Sequence, residues 1–153
     1  MIRKWIIEKY SQRLQFLRLA YGNTDPRTLI SIGILGRMCM EHGDHQSAET
    51  LLKECFEVRE ATLGFNDPDT LLSMHDLGVL YTKQGKFELA EPLLKDSYEL
   101  REHVLGKHHH GSLTSLYSLG SIYIYRGKYK LAESVLKECL ELTETVLGKR
   151  HLH

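Results

Sequence analysis

Along the middle of the chain, apolar side chains recur three and four residues apart. Leu71, Met74, Leu77, Gly78 and Tyr81 share one face of a helix. That helix opens at Asp67-Pro68-Asp69-Thr70, where Asp67 can cap free amides and Pro68 sits in the first turn, where no N–H is needed. Gly85 ends it, being able to take positive φ. Ala90, Leu93, Leu94, Ser97, Tyr98, Arg101 and Val104 then predict a second helix from about Phe87 to Leu105, closed by Gly106. Pro92 interrupts that second stretch at a local cost of roughly 3 kcal/mol. The apolar register is unbroken on both sides of it, so the expectation remains helix.

This helical pair is one copy of a repeat. Leu-Gly recurs at Leu63-Gly64, Leu105-Gly106 and Leu147-Gly148, every 42 residues, and four further sets keep step. They are Gly36, Gly78 and Gly120; Gly43, Gly85 and Gly127; Ala48, Ala90 and Ala132, each followed by Glu; and Leu52, Leu94 and Leu136. Three units follow, residues 25–66, 67–108 and 109–150, with 151–153 as the start of a truncated next one. Residues 1–24 fit as a half-repeat, the second helix of a preceding unit, with Ile6, Tyr10, Leu14, Leu17 and Tyr21 on one face. Arg3, Lys4, Lys9, Arg13 and Arg18 accompany that face, a combination also found in membrane-surface helices, but packing against protein is the expectation. In the third unit His109-His110-Gly111-Ser112 replaces Asp67-Pro68-Asp69-Thr70, so its first helix is expected to begin late, capped by Ser112.

Charge and cysteine content narrow the function. Lys plus Arg and Asp plus Glu both total 20 in 153 residues, so no net field draws the chain to nucleic acid or an anionic membrane. Hydrophobic residues make up 42%, enough for a core without disulfides or metal. Cys39, Cys55 and Cys139 have no paired spacing and suit reduced thiols, and the expected location is the cytoplasm. The amino-terminal apolar run, Trp5-Ile6-Ile7, is too short for a signal or a membrane span.

The order Leu77-Gly78, Tyr81, Gly85, Phe87, Ala90 and Leu94 resembles the tetratricopeptide repeat, whose small residues let antiparallel helices approach closely. Gly36/Ala48/Cys55, Gly78/Ala90/Ser97 and Gly120/Ala132/Cys139 match its three small positions. The 42-residue period is longer than the usual ~34. It is similar to kinesin-light-chain and nephrocystin-3 repeats, as are the strings Asp67-Pro68-Asp69-Thr70-Leu71 and Ala90-Glu91-Pro92-Leu93-Leu94. HEAT and armadillo arrays share the unit length but not these small positions. The resemblance implies an all-α fold, a right-handed α-α superhelix of antiparallel helix pairs.

It also implies a non-catalytic scaffold that binds a protein or peptide in a concave groove lined by the first helix of each pair. The groove set comprises Arg37, Met40 and Glu41 from the first unit; His75, Asp76, Val79, Thr82 and Lys83 from the second; and Tyr117, Ser118, Ser121 and Tyr125 from the third. Ile30, Gly33, Ile34, Leu72, Thr114 and Ile124 lie along the same faces. Where chaperone-binding relatives clamp a carboxylate with Lys, Arg and Asn, this chain has Gly33, Arg37, His75, Val79, Tyr117 and Ser121, and only Arg37 fits. Where kinesin light chains carry Asn pairs, it has Gly33-Ile34, His75-Asp76 and Tyr117-Ser118. Two other readings are a regulatory segment of a larger nucleotide-driven signalling protein and self-association through uncapped solenoid ends.

Chemistry is not expected. Phosphate loops, Gly-x-Ser-x-Gly, His-Glu-x-x-His and paired-Cys motifs are absent from the sequence, so neither catalytic residues nor a cofactor are assigned. His108-His109-His110 is the one conspicuous cluster, but three adjacent residues in a turn do not converge on one metal ion.

Overall fold

The computed structural model describes residues 1–151. Seven helices and no strand occur among them: α1 (Ile2–Tyr21), α2 (Pro26–His42), α3 (His45–Leu63), α4 (Pro68–Lys83), α5 (Phe87–Leu105), α6 (His110–Tyr125) and α7 (Tyr129–His151). The expected opening of a further unit falls at 151–153; His151 still belongs to α7, and 152–153 lie outside the described residues.

Glycine sets the turn that follows each of α1 to α6. Gly22, Gly43, Gly64, Gly85, Gly106 and Gly127 all have positive φ, between 73° and 88°, and lie 21 residues apart. Each helix with its turn is therefore half a repeat. The tight turns share one hydrogen-bond pattern, in which the glycine and the residue after it donate back to the last helical turn. Asp44 N donates to Cys39 O at 2.9 Å, Lys86 N to Tyr81 O at 2.8 Å, and Lys128 N to Tyr123 O at 2.8 Å.

The helix starts are also periodic. Asp25 Oδ1 accepts from Arg27 N and Asp67 Oδ1 from Asp69 N, both at 2.9 Å. In the third unit His109 Nδ1 takes that role, accepting from Gly111 N at 2.9 Å. Helix α6 therefore begins at His110 and is capped by His109 rather than starting late at Ser112, because an unprotonated ring nitrogen can accept an amide hydrogen bond as a carboxylate does. Pro92 is accommodated within α5, near its exposed amino-terminal end, where the carbonyl it leaves unpaired is open to water. Helix α7 runs on through Gly148, since glycine permits a turn without compelling one and Lys149 and Arg150 suit a helix carboxyl end.

The chain forms two compact units, Met1–Leu80 and Tyr81 onward. In the first, α2 packs against α1 and α3. Leu14, Leu17, Leu29, Ile32 and Leu35 are buried between them, and Gly36, Ala48, Leu52 and Cys55 close the α2–α3 contact. Arg18 of α1 grips Glu54 of α3 with two hydrogen bonds, at 2.6 and 2.7 Å. Buried Arg59 fastens α3 to α4, donating to Asp69 O at 3.1 Å and Ser73 Oγ at 2.8 Å.

The second unit repeats the scheme. Helix α6 packs on α5 and α7, with Leu116, Cys139 and Leu142 clustered beside Tyr98, Leu113 and Val135. Arg101 reproduces the fastener 42 residues on, donating to Gly111 O at 2.9 Å and Ser115 Oγ at 2.8 Å. Burial raises the thiol pKa of Cys39, Cys55 and Cys139, which keeps all three protonated at neutral pH.

The helix approach is tight at two glycines. A Cβ on Gly36 would stand 2.7 Å from Leu52 Cδ2, and one on Gly120 2.5 Å from Leu136 Cδ2. Gly36→Ala gains up to about 1 kcal/mol of helix propensity but overpacks fully buried Leu52, at about 1–3 kcal/mol. A net loss of ~1–2 kcal/mol is expected in chemical denaturation. Gly120→Ala should cost less, because half-buried Leu136 has room to turn. Equal losses at the two positions would contradict this account.

Candidate functional site

The residues expected to meet a partner lie on α2, α4 and α6, the first helix of each pair. In the first unit, Glu41 is exposed, Arg37 and Val79 are half-buried, and Met40, His75 and Asp76 are buried. At 7% and 6% exposure, Met40 and His75 are core residues in this structure, with little surface to offer a ligand. Arg37 and Asp76 are brought together, Nη1 to Oδ2 at 3.3 Å, with the carboxylate side chain 12% exposed. The one guanidinium that fitted a carboxylate clamp thus faces a carboxylate of its own chain. Cys55 and Ser73 meet at 3.4 Å beneath these helices.

In the second unit, Lys83 is exposed at the end of α4, with Thr82 half-buried before it. Helix α6 is different in kind. From His110 to Tyr125 it contains no Asp, Glu, Lys or Arg, yet Tyr117 and Tyr125 are 61% and 65% exposed and Ile124 is 45% exposed. Ser118 and Ser121 are half-buried between the two tyrosines, and Ser121 Oγ donates to Tyr117 O at 3.0 Å. Tyr125 is held in place by Phe87 of α5, the rings nearly parallel with centroids 5.9 Å apart. Phe87 was not among the expected site residues; its partner lies 38 residues away, beyond the reach of a helical spacing rule.

A charged clasp borders this face. Arg126 donates to Glu91 at 2.6 Å and to Glu88 at 2.6 Å, and Lys128 donates to Glu91 at 2.9 Å. Partial burial pushes the Glu91 carboxyl up, but Lys128 and Arg126 outweigh it, and the net shift is below the ordinary 4.5. The same contact holds the Arg126 guanidinium above its usual value. His109 of the histidine run is committed to capping α6. No group of three or more His, Cys, Asp or Glu side chains that could hold a metal ion occurs among the described residues. None of their helices is long and apolar enough to cross a membrane.

The tetratricopeptide repeat family pattern matches residues 27–103 and, one repeat later, 69–145. No curated protein matches the chain. Among solved structures it is similar to a Podosopora anserina protein described as a putative kinesin light chain with nearly identical TPR-like repeats. A singly substituted form of that protein is 23% identical, with a TM-score of 0.80 over 95% of this chain and 68% of the other. The unsubstituted form, also 23% identical, gives 0.76 over 94% and 68%. BtubC (BKLC) from P. vanneervenii is 16% identical, with a TM-score of 0.83 over 95% of this chain and 58% of that one. At these identities the likeness shows the fold, an all-α repeat of helix pairs.

The charged clasp has a pH signature. A carboxyl whose folded pKa is depressed contributes stability above its unfolded value and loses it as pH falls through the folded value. Glu91→Gln should therefore lower stability at pH 7 by about 1 kcal/mol. Acid titrations from pH 5 downward should then show a shallower decline than in the parent, and superimposable acid limbs would argue against the clasp.

Proposed function

The chain belongs to the tetratricopeptide repeat family, and from that footing we propose that it is a non-catalytic scaffold holding a protein or peptide partner on the first-of-pair helices. The observation that carries this reading is the face of α6. A helix without charged side chains belongs in a core, and here one leaves two tyrosines and an isoleucine largely in water. Aromatic side chains with a hydroxyl at the tip are the commonest anchors of protein interfaces. The stack on Phe87 holds Tyr125 in one orientation, which reduces the conformational entropy lost when it is covered.

The expected partner segment is uncharged where it meets α6, with apolar side chains for Tyr117 and Ile124 and a hydrogen-bonding group for the tyrosine hydroxyls. Around α2 and α4 the chemistry is charged and internally paired, as at Arg37 and Asp76, so these helices contribute register more than affinity. Exposed Glu41 and Lys83 border them. Family membership supports a protein partner rather than a small molecule, and the balanced charge gives no support for nucleic acid.

The experiment is affinity capture from the native source with quantitative mass spectrometry, comparing the parent with Tyr117→Ala/Tyr125→Ala. Loss of two central anchors should deplete the specific partner about tenfold or more, with helicity by circular dichroism unchanged. The same proteins recovered in the same amounts would sink the assignment of the α6 face.

A further inference from the structure

The even charge balance of the chain conceals a segregation. Helix α1 carries five of the 20 basic residues and one of the 20 acidic ones. Its inner side is committed to the fold, with Leu14 and Leu17 buried and Arg18 neutralised by Glu54. On the outer side Ile2, Trp5, Phe16 and Leu19 are 76%, 58%, 62% and 84% exposed. At about 100° and 1.5 Å per residue they form one ridge, about 26 Å long and confined to a sector of about 100°. Lys9 falls within that sector, and Lys4 and Arg13 on its two flanks. All three are exposed and make no ion pair among the described residues. The Lys9 ammonium lies 5.9 Å from the centre of the Trp5 ring.

Stacking of a further repeat does not account for the ridge. Leu19 corresponds to Ala61, His103 and Thr145, all exposed, and Trp5 to half-buried Ser47 and exposed Leu89 and Leu131. Even α3, which has α2 and α4 as neighbours, leaves Ala61 in water. Phe16 alone stands where a neighbour reaches, its counterparts Val58 and Leu100 being half-buried and Leu142 buried. The close-contact positions also differ. Where the repeats have Ala48, Ala90 and Ala132, α1 has Ile6, and where they have Cys55, Ser97 and Cys139 it has Arg13. Two large side chains, one of them charged, exclude the tight approach made by the first helix of a pair.

A convex ridge of aromatic and aliphatic side chains set among unpaired cations suits a deformable anionic surface. Apolar side chains enter the acyl boundary, a tryptophan rests at headgroup level, and lysine and arginine meet the lipid phosphates and carboxylates. We propose that α1 docks the chain on membranes rich in anionic lipid, lying in the plane of the surface. The attachment is peripheral, since no helix among the described residues is long and apolar enough to cross. With three free cations and four apolar side chains it is weak and reversible.

Trp5 is the only tryptophan, so its fluorescence reports on the docking helix alone. Vesicles of phosphatidylcholine with about 30% phosphatidylserine should shift its emission to the blue and carry the intact chain down with them in a centrifuge. Lipids brominated in the upper acyl chain should quench it. Affinity should fall at least tenfold on phosphatidylcholine alone, and severalfold between about 100 and 500 mM salt. Lys4→Gln/Lys9→Gln/Arg13→Gln and Phe16→Gln/Leu19→Gln should each weaken docking at least fivefold with the circular dichroism spectrum unchanged, all five residues being exposed. Absence of binding, equal binding to neutral vesicles, or binding that leaves Trp5 unshifted would each overturn the proposal. So would a blue shift produced by polyglutamate and not by vesicles, which would make the occupant an acidic protein segment. The docking is independent of the α6 face: Tyr117→Ala/Tyr125→Ala should leave vesicle binding unchanged.

Discussion

Two helices of a pair lie close only where one of them has almost no side chain. Gly36 faces Leu52, and Gly120 faces Leu136, at separations that leave no space for a Cβ. Ala48 and Cys55 are wholly buried on the helix opposing Gly36. That contact fixes how far apart the helices stand, and hence which residues are covered and which remain at the surface. Between successive pairs the connection is polar: Arg59 and Arg101 reach across to a backbone carbonyl and a serine hydroxyl of the next helix. Because a buried guanidinium leaves costly unmet donors if it loses these acceptors, it specifies one placement of the next helix.

The surface chemistry follows from the same arrangement. Within one repeat frame, the positions facing outward from the first helix are free to vary, since neither the close contact nor the arginine fastener uses them. In α2 they hold Arg37 and Glu41, and in α6 they hold Tyr117, Ser121 and Tyr125. A change from charged to uncharged faces along one family scaffold is how a single architecture serves different ligands. The clasp of Arg126 and Lys128 on Glu88 and Glu91 steadies the end of α6 beside that face without contributing chemistry of its own.

Helix identity and, apart from the end of α7 beyond Gly148, the helix ends were legible because apolar spacing and glycine position give the same answer independently. Pro92 did not mislead, since the register continued on either side of it. The start of α6 was misread because histidine is outside the usual capping set, although its Nδ1 lies where Asp25 and Asp67 place a carboxylate oxygen. The candidate site was legible only as a set of helix faces. Periodicity assigns a residue to a side of its helix but not the depth to which neighbours cover it, which is why Met40 and His75 proved buried while Tyr117 and Tyr125 stayed open. Pairings such as Arg37 with Asp76 depend on packing that no local pattern encodes. The recurrence of Arg59 and Ser73 as Arg101 and Ser115 was an available signal of the fastener.

The three tight turns at Gly43, Gly85 and Gly127 share one hydrogen-bond arrangement, and the stretches between them are of equal length. Excising the residues between any two of these glycines would rejoin the backbone across a junction it already contains, with no frame shift in the helical faces. The number of modules is thus decoupled from local stereochemistry. Such a chain can gain or lose reach by duplication or deletion of a whole period while every surviving corner keeps its shape.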